Sequence, residues 1–282
     1  MGRAGYEHAV ARTVELIRAG DIFQANIAHA LEARFEGSSR ELFARLIEAA
    51  APWYGAYLES PSETVVSISP ELFLEADFVS GRVTTRPIKG TRPAGSAASL
   101  AASGKDQAEL VMIVDLMRND LGRVCEFGSI RVEEPRDIEP HAGVVHGVAT
   151  VSGRLRAGVS PGDLVRAAFP PGSVTGAPKI RAMQVIDELE TFERGVYCGS
   201  IGMLSDCGRA AWSVAIRTAT IAGGVLRYPV GAGIVEESDP AAEWEETLHK
   251  AGAFAAVLRE GGRSADGLVE IAGRPRRGAA TA

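Results

Sequence analysis

The stretch YCGSIGMLSDCGRAAWSVAIRTATIAGGVLRYPVGAGIV, Tyr197 to Val235, decides the fold. It contains three apolar, β-rich runs, YCGSIGML, AWSVAIRTATI and VLRYPVGAGIV, joined by SDCGR and AGG. Short glycine-bearing joints between such runs are hairpin-turn chemistry, so the runs read as neighbouring antiparallel strands. Upstream, Ile27, His29, Leu31, Ala33 and Phe35 alternate with other residues and predict a strand over 27–35. WYGAYL, TVVSIS, LFLEADF, RVTTRPI, SIRVEE and VATVSGRL add further strand-like runs.

Helices interrupt these strands. Tyr6, Val10, Val14 and Ile17 predict one over 6–19, closed by Gly20. Ser38 and Glu41 form a capping-box pattern that opens a helix ended by Pro52. Leu110, Ile113, Met117 and Leu121 stripe a helix from about Asp106 to Val124. Others start at Ser160-Pro161, within APKIRAMQVIDELE and at Asp239-Pro240, the last burying Trp244, Leu248, Ala251, Ala255 and Leu258. Hairpin strands broken by helices predict an α+β domain with mostly antiparallel sheet. Residues 1–260 read as one domain and 261–282, rich in Gly, Arg and Ala, as a flexible tail.

A net charge of −6 argues against nucleic acid or an anionic membrane as partner, since both select basic surfaces. No apolar run is long enough to span a bilayer, and the N-terminus lacks a signal peptide's apolar core. Cys125, Cys198 and Cys207 are odd in number and lack metal-ligand spacing, which fits free thiols in a reducing cytoplasm.

Only four of the 30 basic residues are lysine: Lys89, Lys105, Lys179 and Lys250. A lysine amine can lose its proton and attack an electrophile, whereas arginine stays protonated. That singles out Lys89 in TTRPIKGTRP, against the plainer reading of a packed stem paired to a carboxylate. Glu243, Glu246 and Lys250 fall three and four apart and share a helix face away from Trp244 and Leu248. Two carboxylates one turn apart can hold a hard cation, though solvated helix faces carry such pairs constantly. Gly231 and Gly233 let backbone N–H groups approach an anion, and otherwise mark a plain strand end. Asp106 and Glu109 sit at a helix start, where the helix dipole alone explains acidic residues. Arg217, on the strand face opposite Trp212, Val214 and Ile216, could fork onto a carboxylate or pair with an acidic neighbour. Glu71, if buried, could serve as a general acid.

PIKGT, AELVMIVDLMRNDLGRVC, FPPGSVTGAPKIRAMQVIDELE, RGVYCGSIG, IRTATI and GAGIVEESDPAAEWEETLHK occur in this order. Together they resemble the chorismate-utilising enzymes, a family that includes anthranilate, aminodeoxychorismate, isochorismate and salicylate synthases. The resemblance runs from the first helix to about residue 260. It implies an anthranilate-synthase-like sandwich of two mostly antiparallel sheets with helices outside, and Mg2+ as cofactor. Glu109 and Glu246 match the metal ligands, with Glu243 an outer carboxylate. Arg217 and Tyr197 match residues that hold the enolpyruvyl carboxylate, and Gly231, Gly233 and Lys250 the cradle for the ring carboxylate. His146 matches a histidine near the C4 side of the pocket, Ser173 and Thr175 line the PPGSVTG loop, and Glu71 matches the acid acting on the C4 hydroxyl.

Gln24 occupies the position where water-adding members carry a lysine base, and a neutral amide cannot replace that base. Lys89 stands where anthranilate and isochorismate synthases typically have alanine, and resembles the lysine of the enzymes that aminate C4. The resemblance therefore implies C4 amination through a Lys89 adduct, with ammonia from a separate glutamine amidotransferase subunit. The rivals are C2 amination with loss of pyruvate, and a non-catalytic chorismate-binding relative. Where the family usually has His-Leu-x-Ser this sequence has HGVA, so Gly147 and Ala149 remove bulk and a hydroxyl. The chain begins at the family's catalytic core, so the segment that holds the tryptophan site of anthranilate synthases is lacking and insensitivity to tryptophan is expected.

Overall fold

A computed structural model describes residues 1–141, 143–260 and 269–270. Its contacts fall into two compact units. The first comprises Met1–Ser69, Val174–Cys198 and the chain from Ala215 onward; the second comprises Pro70–Ser173 and Gly199–Val214. Except for Val269–Glu270, the tail expected over 261–282 lies outside the described residues. Among the described residues, no helix is long and apolar enough to cross a membrane.

The first unit holds an antiparallel sheet in the order Val269–Glu270, Gln24–Arg34, Val225–Ile234, Thr218–Ala222, Thr64–Ser69 and Tyr54–Glu59. Gly176–Ala177 adds a two-residue strand against Gln24–Arg34. Ile27, Leu31 and Phe35 are buried as their alternation predicts, beneath helices Arg3–Arg18, Ser39–Ala50, Pro240–Lys250 and Gly252–Glu260. Tyr6, Val10, Val14 and Trp244 pack around Ile27, while Leu42, Leu46, Phe254 and Leu258 pack around Leu31. The intervening residues Gln24, Ala28 and Ala30 are fully buried too, so this strand is enclosed on both faces rather than one.

The second unit repeats the theme with the order Ser200–Leu204, Arg209–Val214, Leu72–Asp77, Arg82–Arg86, Val144–Arg154 and Ile88–Pro93. Arg131–His141 also pairs with Val144–Arg154. Helix Gly104–Gly122 buries Leu110, Ile113, Met117 and Leu121, the predicted stripe, and Ser103 caps it by accepting from the Asp106 N–H.

Several expected elements are divided. The run AWSVAIRTATI is two strands, Arg209–Val214 and Thr218–Ala222. Arg217, at φ 49°, turns the chain between them, so assigning it a strand face fails. RVTTRPI splits at Pro87, which has no N–H for the ladder. The last helix is also two, broken at Ala251, and Leu248 is 37% exposed rather than buried. Ser38 accepts from the Glu41 N–H, while Ser160 and Asp163 make a full reciprocal capping box.

His29 shows how the helices dock. Its ring stacks on Trp244 at a centroid distance of 4.3 Å and meets the edge of Tyr6 at 5.0 Å. The Thr247 hydroxyl donates to the Trp244 carbonyl at 2.7 Å, so it accepts from His29 Nε2–H, also at 2.7 Å. Burial, followed by the chain's N-terminal charge, lowers the His29 pKa from 6.5 to about 3. The unfolded chain thus takes up a proton near pH 6.5 that the folded chain refuses until about pH 3. This contribution to stability is complete above pH 6.5 and declines as pH falls through that window, by up to about 1.4 kcal/mol per pH unit. Urea titrations between pH 7 and 5 should show that slope in the parent chain, and a flatter one in His29→Asn.

Gly231 faces Ala28 in the central strand pair. A Cβ there would lie 2.8 Å from the Ile27 carbonyl oxygen and 2.9 Å from Ala28 Cβ. Gly231→Ala must part these strands, and thermal unfolding should show a loss of about 1–3 kcal/mol.

Candidate functional site

In the second unit Lys89, Glu109, Asp106 and His146 lie around one bulge. Ile88 pairs with Val148 and Thr91 with His146, so Lys89 and Gly90 together oppose the single residue Gly147. Such a bulge re-aims a side chain out of the ladder. Gly90 adopts φ +81°, and a Cβ on it would lie 2.5 Å from Leu100 Cδ1 and 2.8 Å from Asp106 Cγ. A Cβ on Gly147 would come within 2.5 Å of the Lys89 carbonyl oxygen, so the departure from the usual leucine lets the strands close here.

The bulge delivers Lys89 Nζ to 3.6 Å from Glu109 Oε2, with both side chains 11% exposed. His146, fully buried, is hydrogen-bonded through Nδ1 to the Thr91 hydroxyl at 2.9 Å. Glu71 is 4% exposed and precedes strand Leu72–Asp77, and its carbonyl accepts from the Val214 N–H at 3.0 Å. Asp106 pairs with Arg92 at 2.9 Å, which supports its plain reading as a first-turn acid. Ser173 is buried in the one-turn helix Gly172–Val174.

In the first unit, strand Val225–Ile234 carries Gly231 and Gly233, and helix Pro240–Lys250 carries Glu243, Glu246 and Lys250. Lys250 Nζ bonds the Gly231 carbonyl at 2.8 Å and pairs with Glu246 Oε1, also at 2.8 Å. Gly233 lies opposite Asn26 in the ladder. The Gly231 main chain thus presents its carbonyl to a lysine, while its missing side chain serves the neighbouring strand. Glu243 corrects the shared-face reading: it is 5% exposed and accepts from the Ser238 hydroxyl at 2.6 Å, whereas Glu246 is largely exposed. Thr175 and Tyr197 are buried, and burial is the main cause that pushes the Tyr197 pKa up, keeping its phenol protonated. Arg217 occupies the left-handed turn described above, where its carbonyl accepts from the Ile68 N–H at 3.0 Å.

Gln24 is fully buried, and neither end of its amide finds a hydrogen-bond partner among the described residues. Buried amides are nearly always satisfied, so this one is suited to a polar ligand group. Among the described residues no three His, Cys, Asp or Glu side chains form a ready-made metal cluster. The donor chemistry still suits Mg2+, which takes few protein carboxylates and keeps waters or substrate oxygens. Glu109 and Glu246 each already hold a cationic amine. Sequence reasoning missed Glu190 and Arg194, a buried ion pair four residues apart within DELETFER. Their spacing was the available signal, but Glu190 ends its helix in an extended conformation, so helical i,i+4 logic did not apply.

Residues 1–256 match the family described as chorismate binding enzyme. The chain is 45% identical over 258 residues to "Aminodeoxychorismate synthase component 1" of Klebsiella aerogenes, covering 89% of this chain and 57% of that protein. It is 42% identical over 256 residues to "Anthranilate synthase component 1" of Pseudomonas aeruginosa, covering 88% of this chain and 52% of that one. Its fold superposes on the crystal structure of anthranilate synthase component I from Streptococcus pneumoniae with a TM-score of 0.83 and 35% identity, over 90% of this chain and 58% of that one. The chain thus spans little more than half the length of these relatives. Two antiparallel sheets with accompanying helices, matched along most of the chain to proteins that share its sequence, make it a member of the chorismate binding enzyme family.

Proposed function

We propose that the chain aminates chorismate at C4, acting as the first component of an aminodeoxychorismate synthase on the path to folate in the cytoplasm. The observation that carries this reading is the Lys89 amine, nearly buried on its bulge and 3.6 Å from the Glu109 carboxylate. In this reading Arg217 and Tyr197 hold the enolpyruvyl carboxylate. Lys250 and the Gly231 and Gly233 main chain receive the ring carboxylate, and Gln24, His146, Ser173 and Thr175 line the substrate. Glu109 and Glu246 would hold Mg2+, with Glu243 behind them, and the ion would supply a positive charge that anchors the ring carboxylate and stabilises developing charge.

The neutral Lys89 amine bonds to C2 of the ring while Glu71 gives its proton to the C4 hydroxyl, which leaves as water as the ring double bonds shift. Because the adduct occupies C2, ammonia bonds at C4, the double bonds shift back, and the C2–nitrogen bond to Lys89 breaks. The net change is chorismate plus ammonia giving 4-amino-4-deoxychorismate plus water. A covalent adduct divides one hard displacement into two and fixes which carbon receives nitrogen. The relatives are named as component 1, and we assign ammonia delivery to a separate glutamine amidotransferase subunit.

A second reading, anthranilate formation, is favoured by the 42% identity to the Pseudomonas aeruginosa anthranilate synthase component. Incubating the chain with chorismate, Mg2+ and an ammonium salt, then separating products by chromatography and mass, decides between them. Aminodeoxychorismate is expected; anthranilate with pyruvate would establish the rival, and chorismate binding without turnover would mark a non-catalytic relative. Lys89→Ala should abolish the C4 product and the chorismate-dependent mass increase on the intact chain. An unchanged C4 rate in that variant rules out the adduct. Glu71→Gln should lower turnover by about 10²–10⁴-fold, the usual worth of a positioned proton donor.

A further inference from the structure

Helix Lys179–Leu189 ends at Glu190, and the chain then turns to bring Arg194 back onto it. The Glu190 side chain is 1% exposed and that of Arg194 17%. The guanidinium forks onto the carboxylate, Nε to Oε2 at 2.8 Å and Nη2 to Oε1 at 2.6 Å. It also donates through Nη2 to the Asn26 carbonyl at 2.6 Å and through Nη1 to the Val174 carbonyl at 2.9 Å. Glu190 Oε1 in turn accepts from the Ala28 N–H at 2.8 Å. One ion pair therefore ties together a helix end, the strand Gln24–Arg34 and the segment leading into Gly176–Ala177.

Both tied main-chain segments bear residues assigned above to the substrate. Asn26 lies two residues after Gln24, Val174 immediately precedes Thr175, and the Asn26 N–H donates to the Thr175 carbonyl at 2.7 Å. The Gln24 amide has no hydrogen-bond partner of its own among the described residues, so its direction is inherited from the backbone that carries it. A buried ion pair is also an inefficient source of stability, because apolar residues of similar size often serve the fold as well or better. What the pair supplies is geometry. A planar guanidinium fixes several acceptors in one plane, which a lysine amine cannot do.

We infer that Glu190 and Arg194 are positioning residues, which set the backbone from which Gln24 and Thr175 meet the substrate and act on the reaction only through them. This rests on the assignment of Gln24 and Thr175 to chorismate, but not on which carbon is aminated.

The test uses three forms of the chain: the parent, Arg194→Lys, and the double variant Glu190→Leu with Arg194→Met. Thermal unfolding is followed by circular dichroism, and chorismate consumption with Mg2+ and ammonium gives kcat and KM. Consumption reads the same whether the product is aminodeoxychorismate or anthranilate, so a wrong product assignment leaves this test intact. If the parent binds chorismate without consuming it, Kd replaces kcat/KM with the same thresholds.

The double variant is expected to fold with a lowered Tm, because the Ala28 N–H and the Asn26 and Val174 carbonyls lose their partners. Read well below that Tm, its kcat/KM should fall about a hundredfold, the scale of an ångström-sized misplacement. Arg194→Lys keeps the charge but not the fork, and kcat/KM should fall about tenfold with an unchanged spectrum. A folded double variant within threefold of the parent overturns the inference, as does Arg194→Lys within twofold. A double variant that does not fold overturns it equally, since the pair would then be a requirement of the fold and not of the site. A parent that neither binds nor consumes chorismate removes both this inference and the function it rests on.

Discussion

The antiparallel pairing of Gln24–Arg34 with Val225–Ile234 is the contact on which the first unit depends. It runs without interruption from Ala25 opposite Ile234 to Arg34 opposite Val225, joining segments about two hundred positions apart. Pairing so remote in sequence is entropically costly to close, so each partner must be specified strongly. Both strands are accordingly buried over most of their length, and Gly231 is there because a side chain would strike the facing backbone. The same pairing brings Asn26 opposite Gly233 and Ala28 opposite Gly231, close to the main chain that Lys250 engages. The first unit's sheet and its share of the candidate residues are thus set by one ladder.

Much of this was legible in the sequence where local chemistry and final structure agree. The alternation at Ile27 to Phe35, the turns SDCGR and AGG, the Ser160-Pro161 start and the Leu110 to Leu121 stripe each carry their own period or cap. The failures share one cause, which is that a continuous apolar run does not show where the backbone turns. Arg217 sits at φ 49° within a run that reads as uninterrupted β, and Ala251 ends a helix inside a sound helical stripe. Glu243 looked like one of a solvated trio, yet the Ser238 hydroxyl draws it inside. Spacing places side chains on a helix face but cannot tell which part of that face a neighbouring loop will cover. The unpartnered Gln24 amide and the Glu190–Arg194 fork were invisible for a related reason, since both depend on contacts made across long sequence separation.

The two lysines near the candidate carboxylates are held very differently. Lys250 has a carboxylate and a main-chain carbonyl, each at 2.8 Å, which is direct hydrogen bonding at both contacts. Lys89 lies 3.6 Å from Glu109, too far for a hydrogen bond and near enough for charge attraction. An amine fixed by two short bonds is suited to presenting charge. The proposed adduct asks the other amine, held by charge attraction on a bulge with a glycine after it, to leave its partner and reach an electrophile. An arginine at position 89 would carry the charge equally well, but it could not deprotonate and attack. In the function proposed above, the choice of lysine at that bulge, in a chain that otherwise so strongly favours arginine, is what a nucleophile requires and a plain counter-ion does not.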